Sequence, residues 1–220
     1  MMLRRRRIHT SGSEERLERL IEERLQPLAD HERIDQRIWD LFGETWAIMF
    51  TDLSGFSRQV EQFGIIHFLQ TIYESERVLV PVIERHDGVL LKSEGDSFLI
   101  IFRHASSALQ CAIAMQQMLR LYNARKPEEE DILLCIGLGY GKVLKIGDAD
   151  VFGAQVNAAS KLGEDTAKAW EILVTGEVKA AVEDRNLTSA TALQAGVSFA
   201  PIDTVPPGAE TAFTVKYPAR

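Results

Sequence analysis

The chain reads as an α+β domain of ferredoxin-like, split βαβ type with a mixed sheet, an N-terminal helical extension and a β-rich C-terminal tail. Three observations predict this. From Trp46 onward, short apolar and β-branched runs alternate with longer stretches of helical periodicity. Their order is strand–helix–strand–strand–helix–strand. The two middle strands are separated by Gly95–Asp96, a hairpin-turn dipeptide.

Composition bounds the function classes. At 220 residues the chain can bury one well-filled core and carry an appendage. A hydrophobic fraction of 45% and a charged fraction of 26% are those of a soluble globular protein. A net charge of −7 argues against general nucleic-acid binding. No apolar run reaches the ~20 residues that span a bilayer. Arg4–Arg7 has no apolar segment behind it, so it does not read as a secretory signal. Residues 1–13 are expected to form a disordered basic tail. Cys111 and Cys135 lie in apolar segments without metal-type spacing, as expected of reduced core residues in a cytoplasmic protein.

The elements follow in order. Ser13 is a candidate N-cap for a helix over Glu14–Leu28, with Leu17, Leu20, Ile21, Leu25 and Leu28 at helical spacing and Pro27 disturbing its end. A second short helix covers Asp35–Phe42 and stops at Gly43. Residues 14–44 are thus a helical segment, either a collar on the main domain or a dimerising or signal-relaying piece. The main domain is expected over 45–220. Trp46–Thr51 is a buried strand ended by Asp52. A turn at 54–57 leads into one long helix over 58–85, with Pro81 late in it. Leu90–Leu91 and Phe98–Phe102 form the hairpin. Ala105–Tyr122 is a helix, and 126–131 a charged loop. Ile132–Gly139 is a strand, followed by a second piece over Gly141–Ile146. Phe152–Leu162 begins a helix, Glu171–Val174 is a strand and Gly176–Glu183 a helix. The tail over 187–217 is β-rich, with a Pro206-Pro207-Gly208 turn.

Two aspartates occupy special places on this plan. Asp52 ends the first strand and Asp96 sits in the tip of the neighbouring hairpin, so both reach one edge of the sheet. Two close carboxylates repel and raise a pKa, and a divalent cation between them removes that cost. Carboxylates that leave positions open for phosphate oxygens suit Mg²⁺ or Mn²⁺. The turn Leu53–Ser57 opens a helix whose free N–H groups make a phosphate seat. Metal and phosphate seat together imply nucleotide polyphosphate chemistry. Further on, Asp150 precedes a turn at Gly153, and Asn157 and Lys161 are four apart on the following helix.

Four stretches carry a family resemblance: FTDLSGFS (50–57), LLKSEGDSF (90–98), IGLGYGKV (136–143) and DVFGAQVNAASKL (150–162). Over roughly residues 45–185 the chain resembles the catalytic domain of class III nucleotidyl cyclases, the adenylyl and guanylyl cyclase family. The resemblance implies that Asp52 and Asp96 hold two metal ions, Mg²⁺ or Mn²⁺, with help from the Leu53 carbonyl. It places Gly55 and Phe56 in the substrate-binding turn. It implies that Lys92 and Asp150 read the base, in the family's adenine pattern, and that Asn157 orients the ribose. Lys161 stands where the family has an arginine that stabilises charge on the α-phosphate. Where many members carry a basic C-terminal hairpin, this chain has the acidic, lysine-free stretch 203–210.

The resemblance further implies a homodimer with shared active sites. Its reaction would turn ATP into 3′,5′-cyclic AMP and pyrophosphate by in-line attack of the 3′-oxygen. Alternatives are the same chemistry on GTP, UTP or CTP, and a weak or inactive nucleotide-binding regulatory domain. A diguanylate cyclase, which shares the core arrangement, is echoed only superficially by EGDSF. Expected partners are the nucleoside triphosphate, a second copy of the chain and a possible regulator at the N-terminal helices, with no nucleic acid and no membrane span.

Overall fold

The protein is described by a computed structural model that covers residues 11–188 and 196–218. Two helices, α1 (Ser11–Arg24) and α2 (His31–Phe42), precede the long strand β1 (Gly43–Leu53). Helices α3 (Phe56–Phe63) and α4 (Ile65–Arg85) cross over to the hairpin β2 (Val89–Glu94) and β3 (Ser97–Phe102). Helix α5 (Ala105–Asn123) returns to β4 (Leu134–Ile146), which turns into the short β5 (Asp150–Phe152). Then come α6 (Ala154–Ser160), a π-helical turn (Lys161–Thr166), β6 (Ile172–Thr175), α7 (Gly176–Thr188), β7 (Ser198–Pro201) and β8 (Ala212–Lys216).

The eight-stranded sheet runs β2-β3-β1-β4-β6-β8-β7, with β5 paired to β4 off that path. Its first four strands have the split βαβ order expected from sequence. The sheet is mixed, because β4 and β6 are parallel and the remaining pairs antiparallel. Alternate residues of one strand feed two cores, as the two-residue period requires. Ala47 and Met49 face the large core under α4, α5 and α7, with Phe98, Ile100, Phe102, Leu109 and Leu138. Trp46 and Ile48 face a smaller core with Leu99, Ile101, Val143, Val151 and Val156.

Several sequence expectations need correction. Helix α1 begins at Ser11, so Ser13 lies inside it, and it ends at Arg24, before Pro27. Residues 1–10 of the expected tail lie outside the described residues. Helix α2 starts earlier than expected, because the Asp30 carboxylate accepts the Arg33 N–H at 3.1 Å and caps it. The single helix over 58–85 is two, broken at Gly64, whose φ of +86° and ψ of 164° take the chain out of the helix. Its hydrophobic periodicity runs through the break, which hides it from a pattern reading. Helix α4 continues through Pro81. Strand β1 extends to Leu53 and includes Asp52. The two pieces 132–139 and 141–146 are one strand of 13 residues. Phe152 belongs to β5, and the helix starts only at Ala154. Of the β-rich tail, residues 189–195 lie outside the described residues, and the helix α7 runs on to Thr188.

The N-terminal helices pack on the end of β4. Leu20, Ile34, Ile38 and Phe42 form a cluster with Ile146. Ion pairs Arg24–Asp35 and Arg37–Glu23, both at 2.6 Å, tie the two helices together. Both cysteines are free and buried, and burial pushes their thiols up, to about 12 at Cys111 and about 11 at Cys135. Among the described residues no helix is long and apolar enough to cross a membrane.

Candidate active site

Asp52 sits one residue from the end of β1, opposite Cys135 of β4. The Ser97 hydroxyl, at the start of β3, donates to it at 3.4 Å. Asp96 lies beside Ser97 in the hairpin turn, where Gly95 takes φ +60°. Asp52 is half-buried and its carboxyl is pushed up to about 6. Burial is the first cause, followed by the charge of Asp96 and then that of Glu164, against smaller stabilisation from Ser97 and the Leu53 N–H. The structure therefore brings Asp52 and Asp96 into one field, as the strand order predicts. It adds Glu164, from the π-helical turn, which the sequence reading missed.

Among the described residues no group of three or more His, Cys, Asp and Glu forms a closed metal cage. An excess of carboxylate charge with few protein ligands is nevertheless the donor set that Mg²⁺ accepts, because it keeps waters and takes substrate phosphates. Asp52 and Asp96 are the carboxylates that could hold such an ion. Beside them Gly55 takes φ +91°, a conformation that favours glycine, and as the N-cap of α3 it brings no side chain to the first-turn N–H groups. The N–H groups of a helix's first turn have no partner within the helix and can donate to phosphate oxygens.

Lys92 and Asp150, 58 residues apart, meet at 2.6 Å. Two local devices bring them together. The β2–β3 register shifts between Leu90 and Lys92, a bulge that re-aims the lysine. Val143 and Val151 pack with Leu99 and Ile101 on the second face of the sheet, which carries β5 and Asp150 over the hairpin. The second Asp150 oxygen accepts the Val151 N–H at 2.8 Å. The bond to Asp150 holds the Lys92 ammonium above its ordinary range. The pair lines a cavity of about 150 Å³, with Phe50, Leu99 and Val156 as apolar walls and Glu94 and Glu164 at its rim. Glu94 had no sequence-derived role, and this cavity is where it sits.

Asn157 and Lys161 leave α6 on its exposed side. Among the described residues neither contacts Asp52, Asp96, Lys92 or Asp150. Lys161 is instead paired with Asp165 one turn on, which raises its pKa. Both residues lie in the π-helical turn that follows α6, a distortion that often marks functional sites. Arg103, a cation close in sequence to the hairpin, is removed from the site. It pairs with Glu44 at 2.9 Å and stacks over Trp46 at the opposite end of β1.

The stretch IGLGYGKV acquires a physical reason. Gly137, Gly139 and Gly141 alternate on one face of β4. A Cβ at Gly137 would lie 2.1 Å from the Ala159 carbonyl oxygen, and one at Gly139 would lie 2.3 Å from that of Gln155. The glycines let α6 rest on the strand at backbone contact.

These features fit one known architecture, and the family profile described as the adenylate and guanylate cyclase catalytic domain matches residues 43–197. The chain belongs to this family. It resembles the adenylate cyclase of Streptomyces coelicolor, 27% identical over 161 residues that cover 69% of this chain and 38% of that protein. It also resembles a serine/threonine-protein kinase of Myxococcus xanthus, 29% identical over 154 residues, 70% of this chain and 18% of that one. The chain spans between 18% and 38% of the length of the curated relatives it matches. Among solved structures it resembles an adenylate/guanylate cyclase/hydrolase of Silicibacter pomeroyi, with a TM-score of 0.63 and 24% identity over 78% of this chain and 96% of that one. At that identity the likeness shows the fold, and the expected cyclase-type α+β core is borne out.

Proposed function

We propose that this chain is a nucleotidyl cyclase that converts ATP into 3′,5′-cyclic AMP and pyrophosphate. The observation that carries the reading is that one chain holds both a preformed Lys92–Asp150 pair lining a cavity and the Asp52–Asp96 carboxylate corner, two half-sites that a two-fold axis can join across two chains. Asp52, Asp96 and the Leu53 carbonyl would hold Mg²⁺ or Mn²⁺, two per site, supplying activation of the 3′-hydroxyl and neutralisation of triphosphate charge. The Lys92 ammonium has two donors left after its bond to Asp150 and can give one to an adenine ring nitrogen. The free lone pairs of Asp150 can accept the exocyclic amino group. The first-turn N–H groups at Gly55 and Phe56 would seat phosphates. Asn157 would orient the ribose, and Lys161 would meet the charge that develops on the α-phosphate.

We read the working form as a homodimer with two shared sites. Asn157 and Lys161 are exposed, and among the described residues neither contacts Asp52 or Asp96 of its own chain, which suits service to a partner's substrate. Helix α4 also exposes Ile66, Leu69 and Tyr73 at helical spacing, apolar surface that a second copy would cover. A cytoplasmic enzyme with a regulator acting through α1 and α2 completes the proposal. A second reading, a weak or inactive regulatory domain, draws on Lys161, which lacks the arginine fork and is held by Asp165.

The test is incubation of the purified protein with ATP, GTP, CTP and UTP, each with Mg²⁺ and Mn²⁺, followed by mass spectrometry. Cyclic AMP that is absent in Asp52→Ala is the expected result. Another cyclic nucleotide would retain the metal chemistry and remove the adenine assignment. No product from any nucleotide would leave the regulatory reading.

A further inference from the structure

Helix α6 has only seven residues, too few to hold a helix by itself, so its place is set by what it packs against. It carries Asn157 and leads into Lys161. Gln155, in its first turn, points the opposite way and is 7% exposed. Its side-chain carbonyl accepts the Tyr140 N–H of β4 at 3.1 Å and the buried Thr175 hydroxyl at the end of β6 at 2.8 Å. Its amide nitrogen donates to the Gly208 carbonyl, in the loop before β8, at 2.9 Å. Tyr140 N–H can only donate and the Gly208 carbonyl can only accept, so the network fixes which way the amide lies.

The surroundings are cut to this residue. A Cβ at Gly141 would lie 3.0 Å from Gln155 Cγ. A Cβ at Gly208, where φ is +96°, would lie 2.3 Å from the Ala154 carbonyl oxygen. An apolar side chain of similar size would fill the same space, but it could slide. A buried amide with partners on three separate elements allows one register, and any slip leaves buried polar groups unpaired.

We infer that Gln155 is a positioning residue that sets the register of α6 on the sheet, and with it Asn157 and Lys161, and ties both to the 203–210 loop. The inference rests on the cyclase reading for its effect on rate. It gives the acidic loop, which lacks the family's basic hairpin, a structural duty. A displacement of α6 by about 1 Å costs on the order of 10²-fold in rate if these groups meet the reacting atoms.

Two variants break the link from opposite sides. Gln155→Met keeps the volume and removes the three hydrogen bonds. Gly208→Ala, in an exposed turn, pushes the loop off Ala154 without touching the core. Amide hydrogen exchange across the whole chain and steady-state kinetics are measured for both. The expected result is unchanged protection in β1 and β3, with exchange over 154–160 faster by about tenfold or more. The kcat is expected to fall about 10- to 100-fold while KM stays within about threefold. Unchanged exchange in α6 in both variants would overturn the inference, as would faster exchange with kcat within twofold of wild type. If Gln155→Met fails to fold, Gly208→Ala decides alone. A wild-type protein that makes no cyclic nucleotide would remove the cyclase reading, while the exchange comparison would still decide whether Gln155 anchors α6.

Discussion

Two corners of the site hold charge in opposite ways. At the Asp52 corner, Asp96 and Glu164 add negative charge to a half-buried carboxylate, and among the described residues no cation offsets it. At the Lys92 corner, ammonium and carboxylate satisfy each other at 2.6 Å. The first corner is unstable alone and gains from a cation brought from outside. The second is stable alone and offers only its remaining donors and acceptors. Binding strength and catalysis should therefore depend on the first corner, and discrimination among bases on the second.

Removing a carboxylate at the first corner should have the largest effect. Asp52→Ala and Asp96→Ala are each expected to lower metal-dependent turnover by about 10³-fold or more, read as cyclic nucleotide formed per minute. Retained turnover in either variant would remove that residue from the metal site. At the second corner, Lys92→Ala should cost roughly 10- to 100-fold in kcat/KM for ATP, the worth of one or two hydrogen bonds to the base, and less for the other nucleotides. An equal loss for all four nucleotides would mean that Lys92 does not read the base.

Lys161 belongs to neither corner. Lys161→Ala should lower kcat by about tenfold with little change in KM, as for a group that acts on transition-state charge. Asp165→Asn should release the lysine and raise kcat by about two- to threefold, since an exposed pair is worth under about 1 kcal/mol. A fall in kcat would show that Asp165 orients Lys161.

The smallest effect concerns stability. Asp52 has a carboxyl raised from 3.8 to about 6, so its ionised form is penalised in the folded, metal-free protein. That penalty is full above pH 6 and disappears as pH falls below 3.8, where the carboxyl is protonated in folded and unfolded chains alike. Asp52→Asn should therefore stabilise the metal-free protein at pH 7.5 by on the order of 1 kcal/mol after solvent screening, seen as a higher Tm, and the gain should be gone by about pH 3. In the wild type, proton and metal compete for Asp52, so apparent metal affinity should fall as pH drops below 6. Thermal melts at the two pH values and a metal titration at pH 5.5 and 7.5 check both statements.

The first corner was legible in the sequence and the third carboxylate was not. Asp52 and Asp96 follow from strand order, because β1 and β3 are neighbours in any split βαβ sheet. Glu164 reaches the corner only because the chain leaves α6 through a π-turn, which residue spacing does not announce. Lys92 and Asp150 were paired through family motifs. Their contact depends on a bulge in β2 and on β5 folding over the second face. Gly64 looked like one more residue of a periodic helix, since a positive φ leaves no mark on hydrophobic spacing. Gln155 lies within the stretch 150–162, where no spacing rule gives it a role. Its three partners come from β4, β6 and the C-terminal loop, at sequence distances no local pattern covers.

The most direct test of the account is whether the two corners serve one site across two chains. Asp52→Ala and Lys92→Ala proteins, each strongly impaired alone, are mixed, allowed to exchange subunits, and assayed for cyclic AMP. Random pairing makes half the dimers mixed, each with one intact site, so about a quarter of wild-type activity should return. Activity that stays at the level of the separate variants would contradict the shared site and place both corners in the service of a single chain.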